Sequence, residues 1–106
     1  MANRLKSNPI YFDDFSADAT LAEFGNPFIV KKIRMRSVVD GDYFRLEDVD
    51  GNVLFQMVQT GANDIVEVDF GPNGFNFGNK GVIIDVSDCV GLVATDGTDA
   101  IWIHLA

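Results

Sequence analysis

The stretch Phe28-Ile29-Val30-Lys31-Lys32-Ile33-Arg34-Met35-Arg36-Ser37-Val38 decides the fold class. Ile29, Ile33 and Met35 fall on one side of an extended chain, and Lys32, Arg34 and Arg36 fall on the other. A period of two is the mark of a strand with one face in a core and one in solvent. After it, Asp40-Gly41-Asp42 reads as a turn, residues 43–49 as a second strand, and Asp50-Gly51 as a short hairpin connection. Residues 53–59 complete that hairpin, with Val53, Phe55 and Met57 on one face. Gly61-Ala62-Asn63 then breaks the chain, and in residues 65–70 Val66, Val68 and Phe70 oppose Glu67 and Asp69.

The same punctuation continues to either side. Gly71-Pro72-Asn73-Gly74 is a turn cluster, Phe75-Asn76-Phe77 a very short strand or extended loop, and Gly78-Asn79-Lys80-Gly81 another turn. Residues 82–86 and 92–94 are short apolar strands, separated from the last one by the turn Asp96-Gly97-Thr98-Asp99. The near-continuous apolar run Ala100-Ile101-Trp102-Ile103-His104-Leu105 predicts a central strand buried on both faces, with Trp102 in the core. Upstream, residues 10–15 suit a short strand. Residues 16–25 suit a helical turn or, preferably, a short strand, halted by Gly25-Asn26-Pro27. Residues 1–8 form a polar arm. Residues 9–106 therefore read as a single all-β domain: an antiparallel β-sandwich or small barrel of about eight to nine short strands, jelly-roll-like or immunoglobulin-like. No segment holds a helical period long enough for a stable helix.

Composition fits this picture. Hydrophobic residues make up 47% of the 106-residue chain, and nine Phe, two Tyr and one Trp supply much of a core. The net charge is −8, which disfavours nucleic acid as a partner. The charge is uneven: residues 1–45 sum to +1 and residues 46–106 to −9. The single cysteine, Cys89, allows no intramolecular disulfide and suits a reducing compartment. The polar start lacks the apolar region of a signal peptide, and no apolar run approaches a membrane span, so a soluble, non-exported protein without membrane contact is expected.

Few residues offer chemistry. His104 is the one histidine, and Ser87, Asp88 and His104 could meet, but no nucleophile-elbow pattern surrounds the serine. Cys89 lies in an acidic context and reads as a buried structural thiol. Asp48-Val49-Asp50-Gly51-Asn52, Asp40-Gly41-Asp42 and Asp96-Gly97-Thr98-Asp99 resemble fragments of oxygen-rich cation loops but lack the remainder of an EF-hand, and hairpin-turn chemistry explains them. Asp13-Asp14, and Glu67 with Asp69, read as solvated carboxylates, not as a glycosidase pair. No cofactor, metal site or enzymatic activity is expected.

The sharper features concern contact. Lys32, Arg34 and Arg36 project together from one strand face, which costs energy unless negative charge faces them. Glu67 and Asp69 could supply it within the chain, or an acidic partner surface could supply it from outside. Phe75 and Phe77, set among glycines, either close one end of the core or present an apolar contact.

The chain resembles the small auxiliary capsid, or head-decoration, proteins of tailed bacteriophages. The likeness rests on Asn8-Pro9-Ile10-Tyr11-Phe12, on residues 28–37, on Phe44-Arg45-Leu46-Glu47-Asp48-Val49-Asp50-Gly51-Asn52-Val53-Leu54, and on Gly81-Val82-Ile83-Ile84-Asp85-Val86-Ser87-Asp88. It implies a non-enzymatic virion protein, assembled in the host cytoplasm, that decorates or cements the capsid surface. Its partners would be the major capsid protein and further copies of itself, with a trimer favoured. Arg4, Lys6, Lys32, Arg34, Arg36, Phe75 and Phe77 are the docking residues expected on this reading, with arm residues 1–8 lying along a neighbour and the basic and acidic parts meeting head to tail. The alternative is a calcium-dependent or carbohydrate-binding β-sandwich module, with Trp102 and Tyr43 as candidate platforms. An enzyme ranks last.

Overall fold

The computed structural model describes residues 4–13, 15, 18–89 and 99–106. Among the described residues nine strands follow in order: β1 (Ile10–Phe12), β2 (Ala19–Phe24), β3 (Ile29–Arg36), β4 (Tyr43–Glu47), β5 (Val53–Val58), β6 (Ile65–Asp69), β7 (Phe75–Asn76), β8 (Lys80–Ile84) and β9 (Ala100–Leu105). A 3-10 turn, Val86–Asp88, follows β8. The expected strand at 92–94 and most of the turn at 96–99 lie outside the described residues.

Two antiparallel sheets form, one ordered β1-β9-β3-β6 with β7 also on β3, the other β2-β8-β4-β5. The pairing has a simple logic. Leaving β7 aside, β4 pairs β5, β3 pairs β6, β2 pairs β8 and β1 pairs β9, so the chain is one long nested antiparallel ribbon whose tip is the β4–β5 hairpin. Wrapping that ribbon brings β9 beside β3 and β8 beside β4. The result is a jelly-roll sandwich, so the strand order selects the jelly roll over the immunoglobulin-like alternative.

Between the sheets lie the fully buried side chains, among them Phe12, Phe44, Ile33, Met35, Leu46, Ile84, Ile101 and Ile103. The expected alternation in β3 holds from Lys32 onward but fails at its start: Ile29 is exposed and Val30 is buried. The cause is a bulge against β9, where β3 advances two residues (Val30 to Lys32) while β9 moves one (Leu105 to His104). One extra residue flips every side chain before it to the other face. A bulge in β5 acts alike. Leu46 opposes Phe55 but Glu47 opposes Val53, so Val53 points to solvent instead of joining Phe55 and Met57.

β9 does take a central place in its sheet, but only one of its faces is in the core. Ile101 and Ile103 are buried, whereas Trp102 is half-buried on the outward face, so it is not the core residue expected. Cys89 is buried at 2% exposure, as expected. The loops at one end are tied by buried polar groups. Ser37 Oγ donates to Asp42 (2.5 Å), Ser37 N to Gln59 Oε1 (3.0 Å) and Val38 N to Asp99 (3.1 Å). Gln59 Nε2 donates to the carbonyls of Gly61 and Asp64. Each buried donor and acceptor in this clamp thus finds a partner, as an apolar interior demands.

Candidate docking face

The outward face of the β1-β9-β3-β6 sheet brings together most of the charged residues singled out above. Register fixes the rows. Glu67 of β6 opposes Arg34 of β3, which opposes Trp102 of β9, which opposes Tyr11 of β1. In the next row Asp69, Lys32 and His104 stand side by side, and on the other flank Ile65, Arg36 and Ala100. The intrachain ladder exists, but it is lopsided. Glu67 Oε1 is shared between Lys32 Nζ (3.8 Å) and Arg34 Nε (3.5 Å). Asp69, although opposite Lys32, turns to accept from Gly71 N at 2.8 Å. One carboxylate therefore faces two cations.

The local potential is written in the titrating groups. Partial burial, and then the charges of Lys32 and Arg34, hold the His104 imidazole below its ordinary pKa, and Glu67 only partly opposes them. His104 Nε2 makes no hydrogen bond among the described residues. Tyr11 is pushed above its ordinary value by burial, by its hydrogen bond to Asp13 (3.0 Å) and by the charge of Asp13, with Arg36 and Arg4 pulling the other way.

Residues 4–8 of the arm do not project. Arg4 and Tyr11 exchange backbone hydrogen bonds (2.7 and 3.0 Å), and the Arg4 guanidinium lies 5.6 Å from the Tyr11 ring centre. Asn8 accepts from Leu105 N (2.9 Å) and donates to Leu105 O (3.3 Å). Residues 4–8 are thus folded back on their own chain, where a side-chain amide and a backbone bridge satisfy them locally. Lys6 stays exposed. Arg4, Ser7, Asn8, Pro9, Tyr11 and Trp102 together line a shallow hollow of about 280 Å³. The Tyr11 and Trp102 rings in it are 5.7 Å apart and tilted by 54°. A second groove, of about 420 Å³, runs between Leu5, Ile10 and Leu105 on one side and β2 on the other.

The two Phe residues part company. Phe77 is 9% exposed and belongs to the core, packed edge-on against Phe55, Phe70 and Phe75, which removes it from the docking set. Phe75 is 51% exposed and stacks on Phe70, so it alone offers apolar surface.

The acidic turn at the ribbon tip has a structural explanation. Asp48 Oδ1 accepts from the amides of Asp50 (2.9 Å) and Asn52 (3.0 Å), and Oδ2 accepts from the Asn52 side chain (3.2 Å). Burial works to raise the Asp48 carboxyl, but these hydrogen bonds and the charge of Lys80 outweigh it and leave its pKa below the ordinary value. Among the described residues no cluster of three or more His, Cys, Asp or Glu side chains is placed to hold a metal. Ser87 Oγ donates to Asp85 (2.6 Å), and no hydrogen bond links it to His104.

Among the described residues, the acids of the second half do not all reach the surface. The nested ribbon interleaves the halves in both sheets, and Glu47, Asp48 and Asp99 are buried. Sequence reasoning found the basic stripe and its carboxylate but missed Tyr11 and Trp102 as their neighbours. The shared side of Ala100, Trp102 and His104 was the available signal. No protein-family model, curated protein or solved structure matches the chain.

Proposed function

We propose that the chain is a non-enzymatic virion structural protein that decorates or cements a capsid, self-associating and docking on an acidic region of the shell through the outward face of the β1-β9-β3-β6 sheet. One observation carries this reading. On a chain of net charge −8, that face gathers Lys32, Arg34 and Arg36 on one strand, with Arg4 nearby, and Lys32 and Arg34 share one carboxylate, Glu67. Such a patch steers and orients an acidic partner. The jelly roll is a scaffold shared by capsid and lectin domains, so it agrees with the resemblance without deciding between them. The experiment is co-sedimentation of the purified chain with shells assembled from a major capsid protein encoded beside it. Saturable binding that weakens with salt supports the reading; absence of such a gene, or of binding, refutes it.

A second reading, saccharide binding, draws on the Tyr11–Trp102 pair and its hollow, since paired rings offer an apolar platform beside polar groups. Tyr43, the other candidate platform, carries Arg45 5.6 Å from its ring centre. Quenching of Trp102 fluorescence by neutral oligosaccharides at millimolar concentration favours this reading over the first. A calcium-dependent form would have to do without Asp48, whose oxygens already accept three N–H groups.

A further inference from the structure

We propose that two copies of this chain pair antiparallel through β5, joining their β2-β8-β4-β5 sheets into one continuous eight-stranded sheet across a two-fold axis. An edge strand exposes unpaired N–H and C=O groups, and folded proteins usually blunt such edges with charge, proline, a bulge or a cover. Among the described residues, three of the four sheet edges are blunted. The arm covers β1 through the Arg4–Tyr11 bridge. β6 exposes Glu67 and Asp69. β2 carries a bulge between Thr20 and Ala22 and exposes Glu23.

β5 lacks the chemical safeguards. From Gly51 to Asn63 the chain carries no charged residue and no proline, on a molecule of net charge −8. Val53 (53%) and Val58 (43%) are exposed along it, as is Gln56. Its bulge lies at Leu54, near one end, and leaves residues 55–58 in unbroken register with β4. No side chain of this strand brings charge to a second copy, and the nearest cation, Arg45 of β4, is held by Gln56 Oε1 at 2.9 and 3.1 Å.

The register follows from the backbone. Gln59 N donates to Asp42 O (2.7 Å) and Gly41 N donates to Gln59 O (2.9 Å), so the Gln59 amide groups face the β4 side. Alternation then turns those of Met57 inward and those of Gln56 and Val58 outward. An axis through Met57 sets Gln56 opposite Val58 of the partner subunit, and each such pair exchanges two hydrogen bonds. This contact is isologous and closes at two copies, unlike the three-fold ring that the resemblance implies. It leaves the charged face of the other sheet free, so it stands or falls independently of the docking reading.

Sedimentation velocity on the full chain over a wide concentration range tests it. The expected species has twice the 11.6 kDa chain mass. Val58→Lys sets like charges beside the axis, and Gln56→Pro removes an N–H that the β4–β5 ladder does not use. Both should raise the dimer dissociation constant at least about 100-fold, with the monomer's circular dichroism retained. Thr20→Lys, on the β2 edge, should leave the dimer intact. Hydrogen exchange should find the Gln56 and Val58 amides protected in the dimer and fast in Val58→Lys. A wild-type chain that stays at 11.6 kDa at every concentration, a dimer that survives both variants, or one that Thr20→Lys abolishes, overturns the proposal.

Discussion

Replacing Glu67 with Gln separates a strut from a brake. Glu67 Oε1 holds Lys32 at 3.8 Å and Arg34 at 3.5 Å, and the three side chains are 33–42% exposed. At an effective dielectric constant near 20, a pair of charges about 4 Å apart attracts with ~4 kcal/mol before desolvation and side-chain entropy are counted. Exposed pairs measured with those costs included are worth about 0.2–1 kcal/mol. Two such pairs on one carboxylate therefore contribute on the order of 1 kcal/mol, and Glu67→Gln should lower the melting temperature by no more than about 8 °C. Docking should move the other way. Gln keeps the shape but releases both cations, so affinity for an acidic partner should rise two- to tenfold, about 0.4–1.4 kcal/mol, with a steeper loss in salt. Calorimetric melting and partner titration at about 0.05 and ~0.5 M salt read the two quantities. The chain's one histidine gives an internal check. Glu67 raises the His104 pKa, so the NMR titration midpoint of His104 should fall in the variant. Weaker docking, or a loss of stability several times larger than ~1 kcal/mol, would refute this reasoning.

Other outcomes follow from the same structure. Phe44 is fully buried, so Phe44→Ala should cost about 3–5 kcal/mol, read as a fall in the denaturant midpoint at unchanged slope. Gly81 has φ +83°, and a Cβ there would stand 2.8 Å from Val49 and 3.2 Å from the Ala22 carbonyl; Gly81→Ala should cost on the order of 1–3 kcal/mol and loosen the ribbon tip, seen as faster exchange at the Val49 amide. Because the fold depresses the His104 pKa, the unfolded chain binds the extra proton more readily. Stability is therefore full above pH 6.5 and declines as pH falls below it, and His104→Gln should flatten that part of a stability–pH profile.

Much of this architecture is written locally. The alternation in β3 from Lys32 to Arg36, the opposition of Val66 and Val68 to Glu67 and Asp69, and the Asp50-Gly51 turn each follow from two-residue periodicity and turn chemistry, and the structure realises them. What the residues did not disclose arises between strands. The bulge that exposes Ile29 exists because β3 must match β9, some seventy positions away, and the bulge that exposes Val53 because β5 must match β4. Trp102 illustrates the limit of composition. An apolar run suggests burial on both faces, yet the sheet's outer layer is built from Tyr11, Arg34 and Trp102, and large amphipathic side chains can shield one another there. The arm is similar: a polar start reads as free chain until Asn8 is seen bonded to Leu105. The basic stripe was legible, since period two alone places Lys32, Arg34 and Arg36 together. Its one-sided neutralisation was not, because that depends on Asp69 turning to Gly71.

The most direct measurement is the affinity of the double variant Lys32→Glu/Arg34→Glu for the capsid shell, taken beside a melting curve. Both side chains are about one-third exposed and lie on the outer face, so the fold should persist while shell binding falls at least about 100-fold. Equal binding by variant and wild type, with both folded, would contradict the claim that this face is where the protein meets its partner.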